Sequence, residues 1–306
     1  MRPDLSICVV SYNTRNLLQQ CLDSAVAEVG GALQSELWVA DNGSVDGSVA
    51  LVRERYPAAN LLENAENVGF ARAMNQCLER SQGRYILLLN SDAVVQPGAI
   101  RRLYHFMETH PRAGVVGPAL LNTDGSFQRS WFSFPTFWGE LSGRQGRASR
   151  LRKLPVHGMA FKADWVNGAC LLARRRAVES VGLLDQRFFM YSEETDWCRR
   201  MQDAGWDCYC LPSARVIHLG GGSTGSNNLG LLVQLYRSKL YYFHKHYGPF
   251  QARSLQAALL LRFALRAALE GSGYLLSVGR YERGKALLRQ RLALLRETGR
   301  IDLSWS

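Results

Sequence analysis

Asp92 ends the run Tyr85-Ile86-Leu87-Leu88-Leu89-Asn90-Ser91-Asp92, in which apolar residues lead straight into polar ones. A carboxylate at the mouth of a buried strand is costly unless something pairs with it. A turn or a metal ion would serve. Asp41 stands in a matching place, after Leu37-Trp38-Val39-Ala40 and before Asn42-Gly43-Ser44. Alone, an Asp in such a stretch suits a turn or a helix cap. Two such carboxylates at the ends of neighbouring strands suit a nucleotide pocket. One would bond a base or ribose, the other a divalent cation.

A second acidic group joins Asp185 to Glu193, Glu194 and Asp196. At a helix start such acids complement the macrodipole, by about 0.3–1 kcal/mol each. Glu193, Glu194 and Asp196 also repel one another, which raises carboxylate pKa values. A raised pKa suits a general base. His218 closes Val216-Ile217-His218 ahead of glycines 220–222, which permit close backbone approach to a ligand. A lone histidine at a strand end more often serves structure.

The elements that must position these groups follow from periodicity. Residues 5–13, the stretch from 36 to Asp41, 60–67 and 85–89 read as strands. Residues 14–26, 47–56 and 69–83 read as helices, with Asp46 or Ser48 capping the second and Gly83 closing the third. This alternation predicts an α/β fold with a mostly parallel sheet and helices on both faces. Ligands bind such sheets beyond the carboxyl ends of the strands. Three ends collect there: Ser11-Tyr12-Asn13, Asp41-Asn42-Gly43-Ser44 and Asn90-Ser91-Asp92. No G-x-G-x-x-G follows the first strand, which disfavours a nicotinamide-dependent dehydrogenase.

Further on, 129–155 reads as a mobile surface loop, 163–182 as a strand and a helix, and 183–206 as an acidic turn and a helix ending at Gly205. Residues 207–225 read as one or two strands and a glycine loop, and helices follow from about 229.

The chain has 306 residues, 47% hydrophobic and 21% charged, enough for one large domain or two modest ones and too apolar for disorder. The N-terminus does not read as a secretory signal, and no apolar run of about 18 residues predicts a spanning helix. Seven scattered cysteines, none in a C-x-x-C pair, fit reduced thiols in a cytosolic protein. Of the net charge of +11, +9 lies in residues 231–306, with thirteen Lys and Arg against four acids. That points to an anionic surface, lipid headgroups before nucleic acid. Arg262, Arg266 and Glu270 share one helical stripe there and the other faces are mainly apolar. Such a segment packs on the rest of the protein or lies in a membrane interface.

Six segments occur in a familiar order: VVSYN, VADNGSVDGS, ENVGFARAMNQC, LLLNSDAVV, NGACLLARRRAVESVGLLDQRFFMYSEETDWCRR and HLGGGST. Over residues 5–225 the chain resembles the family 2 glycosyltransferases of GT-A fold, in their bacterial rhamnosyltransferase-like branch. The resemblance implies a GT-A domain over 1–228, with a nucleotide-sugar half to 125 and an acceptor half from 126, and a basic helical extension over 229–306. It implies that Asp41 binds the base and that Asn67, Gly69 and Asn75 line the nucleotide sugar, beside Ser11, Tyr12, Asn13 and Asn42. Asn90-Ser91-Asp92 stands where the family has D-x-D, with Asp92 on a Mg²⁺ or Mn²⁺ ion, His218 completing the metal site, and Asn90 replacing the first Asp. Glu193-Glu194 matches a Glu-Asp pair whose second member is the base. Glu194 is one methylene longer than that Asp, so the choice among Glu193, Glu194 and Asp196 stays open. Asp196 and Arg199 match the rest of that motif.

The implied reaction is inverting, metal-dependent transfer from a nucleoside-diphosphate sugar, dTDP-rhamnose or a UDP-sugar, to a glycan or lipid-linked acceptor. It would serve cell-surface polysaccharide synthesis in the cytoplasm, peripherally on the inner face of the membrane. The alternative is a catalytically inactive nucleotide-sugar-binding scaffold on the same fold. No nucleic-acid-binding motif appears.

Overall fold

The structure is a computed structural model. It describes residues 2–30, 33–142, 158–220, 229–276 and 282–305, and their side chains except those of 270–276 and 282–287. The first half alternates as its periodicity dictates: β1 (Leu5–Ser11), α1 (Arg15–Val29), β2 (Ser35–Asp41), α2 (Ser48–Arg55), β3 (Asn60–Glu63), α3 (Phe70–Arg80) and β4 (Tyr85–Asn90). Then come β5 (Ala93–Val95), α4 (Ala99–Thr109), β6 (Ala113–Leu121), β7 (Phe127–Gln128), β8 (Trp131–Phe132), α5 (Phe137–Ser142), β9 (Phe161–Lys162) and β10 (Trp165–Val166). The chain closes with β11 (Cys170–Arg174), α6 (Arg175–Val181), α7 (Glu193–Asp203), β12 (Asp207–His218), α8 (Leu229–Tyr247), α9 (Pro249–Leu276) and α10 (Glu282–Gly299).

The main sheet runs β3-β2-β1-β4-β11-β6-β12-β5. Six of these strands point one way; β11 and β5 run against their neighbours. β1 and β4 are buried on both faces, so they read as unbroken apolar runs. Their alternate residues feed two cores. Leu5, Ile7, Val9, Leu87 and Leu89 pack with α1, α2 and α4. Cys8, Ile86 and Leu88 pack with α3, α6 and α7 on the other side. All seven cysteines are free and buried.

Three local expectations change. Gly83 does not close a helix: α3 ends at Arg80, and a Cβ on Gly83 would lie 2.4 Å from the Ser6 nitrogen, so Gly83 serves close packing. The stretch from 129 is ordered through β8 and α5, because Trp131 is buried and Phe132 stacks on Trp165 at 4.1 Å; its remainder, 143–157, lies outside the described residues. Gly47 itself caps α2, while Asp46 Oδ1 accepts both the Ser48 N–H (3.0 Å) and hydroxyl (2.6 Å).

The chain divides into two compact units. One comprises residues 1–134, 146–189 and 193–224, and holds the sheet. The other comprises residues 135–145, 190–192 and 225–306. Within the second, α9 buries Ala252, Leu255, Leu259, Phe263 and Ala267 against α8 and α10. Gln256 Nε2 donates to the carbonyls of Thr298 and Ile301, both at 3.0 Å. Lys239 pairs with buried Glu140 at 2.8 Å, and the Ser238 hydroxyl donates to the Met190 carbonyl at 2.7 Å.

Candidate active site

Strand register sets the rim. Ser11 lies level with Asp41, and Val10 with Asn90, so β1, β2 and β4 end together. The loops beyond them are tied to one another. The Asn13 N–H donates to Ser44 Oγ (2.8 Å) and Asn13 Oδ1 accepts the Val45 N–H (2.9 Å), with Asn13 in the left-handed region at φ 52°. The Thr14 hydroxyl donates to Ser91 Oγ at 2.9 Å and lies 3.3 Å from Ser11 Oγ. These residues therefore form one surface.

Asp41 is 2% exposed. Its Oδ1 accepts the Ser44 N–H at 2.8 Å, while its Oδ2 has no hydrogen-bond partner among the described residues. A buried acceptor left unpaired costs about 1–3 kcal/mol, so this oxygen is prepared for a donor that arrives with a ligand. Tyr12 is exposed at the same rim.

The asparagines divide by task. Asn42 Nδ2 donates to Asn67 Oδ1 and to the Gly69 carbonyl, both at 3.3 Å, and its Oδ1 accepts from Asn64 (2.9 Å). Asn75 holds the backbone of Leu184 through both ends of its amide (2.7 and 3.1 Å). Asn42 and Asn75 therefore shape the rim from beneath. Gly69 is required where it stands: φ is 86° and a Cβ would lie 2.6 Å from the Phe189 carbonyl oxygen. That carbonyl accepts the Phe70 N–H at 2.7 Å.

Asp92 and His218 meet. Pairing of β12 with β5 sets His218 beside Ala93, and the Leu219 N–H donates to the Asp92 carbonyl at 3.0 Å. Asp92 Oδ1 lies 3.3 Å from His218 Nε2. The other ring nitrogen, Nδ1, lies 2.7 Å from Gln128 Oε1. Gln128 Nε2 faces two acceptors, Asn122 Oδ1 and the His218 carbonyl, each at 3.2 Å, which fixes the amide with its oxygen toward the ring. Nδ1 therefore carries the proton. In the neutral ring, Nε2 then points a lone pair at a carboxylate. Two converging acceptors of this kind fit a divalent cation, and the Gln128 bond is the outer support such a histidine needs. No cluster of three or more His, Cys, Asp or Glu occurs among the described residues. Mg²⁺-type sites need only one or two protein carboxylates when substrate phosphates supply the rest. Gly220 has φ 63°; residues 221 and 222 lie outside the described residues.

The acid group opens α7. Tyr191 and Ser192, just before it, both lie in the left-handed region at φ 70° and 68°, a conformation costly for residues with a Cβ. Glu193 is 6% exposed, and Oε2 of both Glu193 and Glu194 lacks a partner among the described residues. Burial, then the Glu194 charge, push the Glu193 carboxyl well above the ordinary range. Burial also raises Glu194, while backbone N–H groups, including that of Gly168, pull it part of the way back. Asp196 is fully buried and paired with Arg200 Nε at 2.9 Å, which sets it in the scaffold of α7. Arg199 binds Asp203 (3.2 Å) and lies over Phe134.

Glu194 and the strand-end acids share a neighbour. The Glu194 side chain rests on Gly168, where a Cβ would meet its Cγ at 3.5 Å. The next residue, Ala169, accepts the Asn90 N–H through its carbonyl at 2.9 Å. A half-buried carboxylate of raised pKa thus stands beside the Asn90-Ser91-Asp92 turn. Sequence reasoning missed Gln128 and Gly168; the Asn-Gly-Ala segment before β11 was the available signal for Gly168, and Gln128 had none. A cavity of about 560 Å³ near Asp164, Gln202 and Trp206 opens at the start of β12, away from these strand ends, and takes no part in the site.

A mostly parallel sheet with a polar rim at its strand ends, an Asp–His pair and a half-buried acid beside the same turn suits a transferase of GT-A architecture. Residues 6–180 match the model of glycosyl transferase family 2, and the chain belongs to that family. The chain is 30% identical over 251 residues, covering 76% of itself and 80% of its relative, to an N-acetylglucosaminyl-diphospho-decaprenol L-rhamnosyltransferase of Mycobacterium tuberculosis. It is 25% identical over 252 residues, 77% of the chain and 85% of the relative, to the amylovoran biosynthesis glycosyltransferase AmsE of Erwinia amylovora. Among solved structures, mannosyltransferase PcManGT of Pyrobaculum calidifontis, in complex with GDP-Man and Mn²⁺, matches with a TM-score of 0.58 and 18% identity. That match covers 98% of this chain and 87% of the other. The chain is a glycosyltransferase.

Proposed function

We propose that the protein transfers a rhamnose-like sugar from a pyrimidine nucleoside diphosphate to a glycan or lipid-linked acceptor, with inversion, in cell-surface polysaccharide synthesis. The observation that carries this reading is Glu194, a raised-pKa carboxylate set on Gly168 beside the turn that ends in Asp92. Asp41 Oδ2 accepts the N3–H of a pyrimidine, and the exposed Tyr12 ring offers a stacking face. Asp92 and His218 would hold a Mg²⁺ or Mn²⁺ ion. When bound, that ion supplies positive charge to the departing diphosphate. Glu194 takes the proton of the acceptor hydroxyl as its oxygen attacks the anomeric carbon and the diphosphate leaves from the opposite face. One displacement inverts that centre. Glu193, almost sealed from solvent, is the member of the pair that burial and its neighbour's charge prepare most strongly for a proton.

The mycobacterial relative, an N-acetylglucosaminyl-diphospho-decaprenol L-rhamnosyltransferase, and the basic helical unit support a lipid-linked acceptor and a peripheral place on the cytoplasmic face of the membrane. Among the described residues no helix is long and apolar enough to cross a membrane.

A thermal-shift screen tests the donor. dTDP-rhamnose or a UDP-sugar raises the melting temperature more with Mn²⁺ than without, and GDP-sugars do so less, because a purine places its edge elsewhere against Asp41. Asp92→Ala removes the Mn²⁺-dependent part. Tight binding of a GDP-sugar, or a Mn²⁺ effect that survives Asp92→Ala, overturns the assignment.

A further inference from the structure

Helix α9 has two apolar faces. The stripe Ala252, Leu255, Leu259, Phe263 and Ala267 is buried. On the opposite side stand Leu261, Leu265 and Leu269, spaced by four residues and 61%, 57% and 71% exposed. Phe250, 76% exposed, joins this side at the head of the helix. Exposed Ala257, Ala264 and Ala268 fill the gaps around the three leucines, while Gln251 and Ser254 interrupt the stripe toward Phe250. A helix needs one apolar face to pack; the second is surplus to folding.

Charge selects the occupant. From 249 to 269 the helix has no Asp or Glu. At 100° per residue, Arg253 borders the exposed stripe on one side, and Arg262 and Arg266 border it on the other. Arg262 also donates to the Glu140 carbonyl at 3.2 Å; Arg253 and Arg266 are exposed. A second copy of this face would set arginine against arginine with no acid between. Headgroup phosphates accept from arginines at the edges while acyl chains receive the leucines between them. Because the helix cannot span, it would lie in the plane of the interface.

We propose that the Leu261–Leu265–Leu269 face of α9 is the surface by which the protein lies on an anionic lipid bilayer. The proposal rests on the peripheral placement given above and names the residues that perform it. Atoms of the donor site take no part.

The test uses the full chain with phosphatidylcholine vesicles, alone or containing phosphatidylglycerol, at low salt. The wild type sediments with the anionic vesicles only. In L261Q/L265Q/L269Q the vesicle affinity falls about 100-fold, since three leucines lose their burial in lipid. Melting temperature and donor thermal shift stay as in the wild type. A second probe is L265C carrying an environment-sensitive dye, selective because the seven native cysteines are buried. Its emission shifts to the blue when anionic vesicles are added. A wild type that stays in the supernatant overturns the proposal, as does a triple variant that binds vesicles like the wild type, or a dye that does not respond. A wild-type dimer that the triple variant dissolves, with vesicle affinity intact, also overturns it and gives the face to a second copy. Vesicle binding without any nucleotide-sugar thermal shift upholds this face and sinks the donor assignment instead.

Discussion

The carboxylates at the end of β4 and those at the head of α7 live under opposite rules. Asp92 is met by an imidazole whose other nitrogen is fixed by Gln128, so its surroundings are prepared for positive charge. Glu193 and Glu194 are met by each other and by burial, so theirs are prepared for a proton. One turn further along α7, Asp196 shows the third solution: a buried carboxylate neutralised by its own Arg200. Acid residues close in sequence thus diverge in chemistry through what faces them, and neither spacing nor residue type separates them.

Glu194→Gln is the sharpest way to break the comparison. It keeps shape and removes basicity, so turnover should fall about 10²–10⁴-fold while donor affinity, read by thermal shift, is nearly kept. If Glu193→Gln gives that loss and Glu194→Gln does not, the roles of the pair are exchanged. Asp196→Ala should act on stability instead: Arg200, partly exposed, keeps its bonds to the Val181 and Leu183 carbonyls but loses its ion-pair partner, at a cost of about 1–3 kcal/mol in a denaturant titration. A folded, inactive Asp196→Ala would move this residue from scaffold to chemistry.

Gln128→Ala probes the other region. Loss of an outer support for a metal-binding histidine weakens the metal about 10–100-fold. A Mn²⁺ titration of nucleotide binding should show that shift with the metal-free affinity unchanged; equal curves for variant and wild type would remove Gln128 from the site. The smallest effect is the pH dependence. Glu193 has a folded pKa above its unfolded value, so its contribution is full below the unfolded pKa and is lost as pH rises through the folded one. Stability should therefore decline across that window. Glu193→Gln should flatten the decline and gain about 1 kcal/mol at neutral pH. An unchanged slope would mean that Glu193 is not the strained member.

The first half of the fold was legible because β2 and β4 carry unbroken apolar runs and helices such as α3 and α4 a clean 3.6-residue pattern, while short β3 and α2 are placed mainly by their turns. β11 reads as a strand, but nothing in Cys170–Arg174 says that it inserts antiparallel between β4 and β6. The two-residue strands β7 to β10 are too short to carry a period. In the site, Asp41, Asp92 and His218 stood out because polar residues at the ends of apolar runs are locally anomalous. Asn42 looked the same by that criterion and Asn75 was marked only by the family resemblance, yet the amides of both are spent on backbone and neighbouring side chains. Gln128 gave no signal at all, since its partner lies 90 residues away and only β-pairing joins them.

Tyr191 and Ser192 carry a consequence for anyone seeking a hardier enzyme. Both hold a left-handed backbone that glycine adopts freely, and each is strained by about 1–2 kcal/mol. Selection for heat resistance alone would reward glycine at either position. The same change frees the main chain that leads directly into Glu193 and Glu194, so the hardiest variants in such a library should include slow ones. A screen that scores survival without turnover would harvest the wrong clones at these two codons.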